Sequence, residues 1–119
     1  MEKIGRQVFL YDFYGELLTE HQKRVYEDVV LNDMSLSEIA EELGISRQGV
    51  HDLVKRCDKI LAGYEEKLHL VEKFAGAKEK VERIHDCSRE VLAHVNDTPR
   101  MIEYIKKIEA ISNAIIEDF

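Results

Sequence analysis

One segment restricts the fold of this chain more than any other: two short amphipathic stretches, each preceded by a capping residue, meet at a single glycine, Gly44. Ser35 and Glu38 occupy the N-cap and N3 places of a capping box, in which a hydroxyl and a carboxylate satisfy backbone N–H groups that a helix start leaves open. Ile39, Ala40 and Leu43 recur at the spacing of one helical face. Gly44 ends that helix, because glycine enters the left-handed conformation without a Cβ penalty. Ser46 caps the next helix, whose apolar stripe is Val50, Leu53, Val54, Cys57, Ile60 and Leu61.

Read position by position, Leu36 to Arg56 meets the requirements of a helix-turn-helix. Ile39 and Leu43 face inward, small Ala40 lets the second helix cross closely, and Ile45 is expected to plug the space beneath the turn. Val50 and Leu53 anchor the second helix from its inner face. The rest of the chain also carries a helical period. Val8, Tyr11, Tyr14, Leu17 and Leu18 predict a first helix over 4–18. Thr19 and Gln22 form another capping box, ahead of a helix bearing Val25, Val29 and Val30 that Asn32-Asp33-Met34 ends.

From Tyr64 the pattern becomes a long charged helix with an approximate heptad seam: Tyr64, Leu68, Val71, Ala75, Val81, Ile84, Val91 and Val95. Asn96-Asp97-Thr98-Pro99 is a break and restart, with Pro99 suited to the first helical position. A last helix bears Met101, Tyr104, Ile105, Ile108, Ile111, Ile115 and Phe119. No stretch reads as a strand. The fold class is therefore all-α: a helix-turn-helix module over 1–62, then a helical hairpin or arm over 63–119.

Composition narrows the class further. With 119 residues, one proline, six glycines and no tryptophan, the chain lacks the turn punctuation of an all-β sandwich or barrel. Two cysteines, Cys57 and Cys87, are too few for a disulfide scaffold and read as free thiols. The longest early apolar run, Val8 to Tyr11, falls short of the roughly 7–15 residues of a secretory signal or the roughly 20 of a spanning helix. A cytoplasmic protein is expected. The net charge of −7 runs against strong nucleic-acid binding, since basic side chains must neutralise phosphates, and both parts hold more acids than bases.

In a helix-turn-helix the second helix enters the major groove and presents its N-terminal residues to base edges. The residues expected to contact DNA are Ser46, Arg47, Gln48, His51, Lys55 and Arg56. Arg47 can pair with guanine O6 and N7, and Gln48 with adenine N6 and N7. Ser46 and the helix N-terminus offer N–H groups to a phosphate. Gly49, with no side chain, would let a phosphate or partner backbone approach. Asp52 shares this face and repels phosphate unless it accepts from a cytosine amine, so a modest DNA affinity is expected.

Leu18-Thr19-Glu20-His21-Gln22-Lys23-Arg24, followed by Ser35 to Arg47, resembles region four of bacterial sigma factors, which reads promoter DNA through its second motif helix. The fuller chain is similar to the YlxM-like family of small bacterial helix-turn-helix proteins. That similarity is carried by Leu10-Tyr11-Asp12-Phe13-Tyr14-Gly15, by Gly63 to Leu68 and by Glu72-Lys73-Phe74. The resemblance implies a DNA-binding regulatory protein linked to the signal recognition particle pathway, with components of that particle as partners. An alternative expectation is a module of the targeting machinery that contacts protein or ribonucleoprotein and reads no DNA.

Other constellations carry less. His85 and Cys87, with Asp86 and His94 nearby, lack the four-residue spacing of helical metal pairs, so no metal site is expected. No histidine accompanies a nucleophile motif and no glycine-rich loop is present, so neither catalysis nor a cofactor is expected. Glu41-Glu42 and Glu65-Glu66 read as solvated helix faces. Phe9, Tyr11, Phe13 and Tyr14 are denser than one helical stripe can bury. With the C-terminal seams, they lead to the expectation of a homodimer.

Overall fold

The computed structural model describes residues 3–119, which form six α-helices and no strand among the described residues. Helix α1 spans Lys3–Tyr14 and tightens into a 3-10 turn over Gly15–Leu17, three residues of the expected first helix. Thr19 then caps α2, Glu20–Tyr26, through the reciprocal box foreseen: its hydroxyl accepts from Gln22 N, and the Gln22 side chain accepts from Thr19 N at 3.0 Å. The chain continues as a widened π-turn, Glu27–Leu31, which no periodicity reveals. Asp33, at φ 53°, completes the stop. Helix α3 covers Leu36–Leu43, α4 Arg47–Leu68, α5 Leu70–Ala93 and α6 Thr98–Asp118.

Two compact units divide the chain, Met1–Val71 and Glu72–Phe119. The position after residue 62, where the change of helical pattern near Tyr64 sets a division, lies inside α4. That helix continues because its buried stripe does: Val50, Cys57, Leu61 and Glu65 are all buried. Tyr64 does not begin a separate seam. Its ring stacks on Tyr14 of α1 with centroids 6.0 Å apart. The break comes instead at His69, which takes left-handed φ 55° between α4 and α5, an unmarked position because histidine is no strong helix breaker.

The first unit has two apolar clusters. Leu10, Tyr14, Leu18, Tyr26, Cys57, Leu61 and Val71 form one; Val25, Ile39, Ala40 and Val50 form the other, and Leu53 and Val54 pack against both. The crowded aromatics of α1 are largely absorbed here. Tyr14 is buried, Tyr11 stacks on Tyr26 at 5.5 Å, and Phe13 packs on the larger cluster, leaving Phe9 exposed.

In the second unit, Lys80 of α5 pairs with Asp118 at the far end of α6, so the helices form an antiparallel hairpin. Asp97 caps α6, accepting from Arg100 N, and Pro99 is the second residue of that helix, one place after the first position expected for it. Ile111 is buried and Met101, Tyr104, Ile108 and Ile115 are half-buried, whereas Ile105 and Phe119 remain exposed.

Candidate nucleic-acid interface

The turn between α3 and α4 fixes how α4 is presented. Gly44 adopts φ 69° and ψ 30°, and its N–H donates to the Ala40 carbonyl, as does that of Ile45 at 3.1 Å. Ser35 accepts from Glu38 N, but its hydroxyl donates to the Glu38 carboxylate at 3.0 Å. This local pair takes the place of the reciprocal backbone contact of a full capping box. Ile45 is 43% exposed rather than sealed beneath the turn. The buried Val25, Ile39, Ala40 and Val50 hold the two motif helices together, with Arg24 of α2 3.6 Å from Glu42 of α3 on the outside.

Ser46, Arg47, Gln48, His51, Lys55 and Arg56 are all exposed. Ser46 precedes α4 and the other five span its first three turns, about 15 Å of helix from cap to Arg56 at 1.5 Å per residue. Ser46 Oγ is committed to the cap, accepting from Gly49 N at 2.9 Å. This contact reassigns Gly49. A Cβ there would lie 3.2 Å from Ser46 Oγ and 3.6 Å from Ile45 Cδ1, so the missing side chain makes room for the turn rather than for a phosphate.

Acidic chemistry is built into the same face. Gln48 Nε2 donates to Asp52 Oδ1 at 2.9 Å, and His51 Nδ1 lies 3.8 Å from that oxygen. A shallow groove beside this pair is lined by Leu36, Arg47, Gln48 and His51. One apolar wall from the start of α3 thus faces three polar side chains from the start of α4.

Behind this face, polar contacts that periodicity does not reveal lock α4 in place. Asp58 accepts from Gln7 Nε2 at 3.0 and 3.1 Å and from the Tyr26 hydroxyl at 2.6 Å, joining α1, α2 and α4. Tyr11 donates to Glu27. Glu65 is buried rather than solvated: its Oε1 accepts from the Tyr14 hydroxyl at 2.6 Å and from Val71 N at 2.9 Å, while Leu70 N donates to Tyr14 Oη. Its position was legible as the next four-residue step after Cys57 and Leu61. Burial, followed by these carboxylate contacts, pushes the Tyr11, Tyr14 and Tyr26 phenols above their ordinary range. Burial likewise raises the Cys57 thiol, away from the reactive thiolate.

The residues weighed as metal ligands lie in the second unit. His85 is exposed and Cys87 half-buried, while the His94 ring stacks near Tyr104 with centroids 6.1 Å apart. Among the described residues no helix is long and apolar enough to cross a membrane.

Residues 1–108 match the family described as "Putative helix-turn-helix protein, YlxM / p13 like". The chain is similar to a UPF0122 protein of Caldanaerobacter subterraneus subsp. tengcongensis, 54% identical over 78 residues, covering 66% of this chain and 67% of the relative. It is also similar to one of Thermoanaerobacter sp., 43% identical over 108 residues, covering 91% of this chain and 89% of the relative. A third, from Bacillus cereus, is 40% identical over 110 residues, covering 92% of this chain and 99% of the relative.

Proposed function

We propose, from the premise that this chain belongs to the UPF0122 family of YlxM/p13-like helix-turn-helix proteins, that it is a cytoplasmic regulatory protein that binds duplex DNA through α4. The observation that carries this reading is the turn at Gly44, which presents Arg47, Gln48, His51, Lys55 and Arg56 together on the exposed side of a helix anchored from behind. Arg47 and Gln48 reach base edges; Lys55, Arg56 and the α4 N-terminus at Ser46 meet phosphates. The second unit, Glu72–Phe119, serves as the dimerisation or partner-binding element. The link to the signal recognition particle pathway, and to its components as partners, rests on family resemblance.

Few bases set a small electrostatic contribution. About three phosphate contacts give a log–log salt slope near −2.7, at roughly −0.9 per phosphate. In fluorescence anisotropy on a random duplex pool, replacing Lys55 or Arg56 with alanine should weaken binding to all sequences alike and flatten the slope by about 0.9. Arg47→Ala should instead erode preference at one base position, by about 1–3 kcal/mol for a bidentate contact. Absence of binding at about 50 mM salt would refute the DNA reading.

A second reading, a module that contacts protein or ribonucleoprotein, is favoured by the Gln48–Asp52 pair, because a carboxylate on the presenting face suits a basic protein surface, free or within a ribonucleoprotein, better than phosphates. Crosslinking in cells, followed by sequencing of bound nucleic acid and identification of bound protein, separates the two.

A further inference from the structure

Glutamine reads adenine with two atoms: its carbonyl oxygen accepts from N6 and one N–H donates to N7. The side-chain amide has two N–H groups, so one remains. In this structure Gln48 Nε2 donates to Asp52 Oδ1 at 2.9 Å, one helical turn further along the same exposed face. An ionised carboxylate only accepts, so it tolerates the amide nitrogen beside it and rejects the amide oxygen. Asp52 therefore fixes which way round the Gln48 amide stands. Leu36, facing Gln48 across the shallow groove, is apolar and supplies no competing partner.

We propose that Asp52 is a positioning residue for base selection: it holds the Gln48 amide so that its carbonyl oxygen and second N–H match adenine. The inference deepens the reading of α4 as a DNA-binding helix and rests on it. It gives the acidic side chain a role opposite to its effect on affinity. The carboxylate repels the phosphates and lowers binding to every sequence, while it prevents the amide from turning to present the donor pattern that another base would accept. Loss of Asp52 should thus raise affinity and lower selectivity together. Were repulsion its only effect, affinity would rise uniformly with preference unchanged.

The experiment is selection from a random duplex pool with the full chain, followed by anisotropy on the selected duplex and on versions altered at its adenine. The selected duplex for the native chain should carry an adenine preference that Gln48→Ala abolishes. Asp52→Ala and Asp52→Asn should bind the random pool more tightly yet lose that preference by about five-fold or more, the lower end expected for a bidentate contact. Asn at 52 fails because its own amide can donate, so Gln48 can turn. Asp52→Glu, still acceptor-only, should retain the preference. Circular dichroism checks that every variant folds. Unchanged adenine preference in Asp52→Ala, or loss of it in Asp52→Glu, would overturn the inference while leaving DNA binding intact. Absence of binding by the native chain would overturn the DNA reading and this inference with it.

Discussion

At the scale of single residues, the turn glycine is the position where backbone conformation alone decides what is tolerated. Gly44 has φ 69°, and no neighbour lies within 4 Å of where its Cβ would be. Steric crowding therefore contributes nothing there, and a substitution acts through left-handed backbone strain, on the order of 1–3 kcal/mol for a non-glycine residue. Gly44→Val should lower stability by more than about 1 kcal/mol, at the low end of that range. Gly76 also has open space around it but sits inside α5 at negative φ. Gly76→Ala should be neutral or stabilising by up to about 1 kcal/mol, the helix-propensity difference. Urea denaturation of both variants gives the comparison. Equal midpoints would show that the motif turn is not held by a left-handed residue.

Among elements, α4 is held by phenol–carboxylate pairs rather than by apolar contacts alone. Tyr14 of α1 reaches Glu65 near the end of α4, and the same two side chains take up the first N–H groups of α5. Tyr26 of α2 reaches Asp58 in the middle of α4. Replacing Tyr14 with phenylalanine keeps the ring but strips a buried carboxylate of a donor, at a cost of about 1.5–3 kcal/mol for a hydrogen bond to a charged group. The same pairs set an alkaline limit. Burial first, then the carboxylates, hold the Tyr11, Tyr14 and Tyr26 phenols protonated in the fold, whereas an unfolded tyrosine ionises near about pH 10. A folded-state pKa above the unfolded one means that this stability is intact below about pH 10 and is lost as pH rises beyond it. The urea midpoint should fall steadily from about pH 9.5 upward, and Tyr14→Phe should have a shallower alkaline decline from a lower starting midpoint. An alkaline limb unchanged by that substitution would contradict the assignment.

For the whole molecule, the second unit bears on assembly. Its hairpin buries one stripe and leaves a second apolar set in solvent, including Leu92 and Phe119, each 73% exposed, with Val81, Val95 and Ile116. Two helices have too little interior to cover both, and soluble chains rarely leave large apolar patches bare. Self-association through this unit should give light-scattering masses about twice the 13.9 kDa of the chain at micromolar concentration. Leu92→Lys combined with Ile116→Lys should restore the single-chain mass, since burying unpaired lysines across an apolar contact is costly. A native chain that stays at single-chain mass throughout that range would refute this assembly.

The helical class, the capped starts at Thr19, Ser35 and Ser46, the left-handed stop at Gly44 and the exposed identities along α4 follow from the order of the residues alone. These are local properties: a cap or a glycine acts on backbone groups within a turn of itself, and an apolar stripe is visible as spacing. Tertiary structure decided what depends on residues far apart in the chain. Glu65 looks like a solvated acid until Tyr14, 51 positions before it, folds against it, and nothing in the spacing singles out Asp58 until Tyr26, 32 positions before it, does the same. The continuation of α4 past residue 62 was decided the same way, by the partner that α1 offers to Leu61, Tyr64 and Glu65. Periodicity records which face a residue occupies. Whether a carboxylate on that face meets water or a buried phenol depends on the packing of another helix.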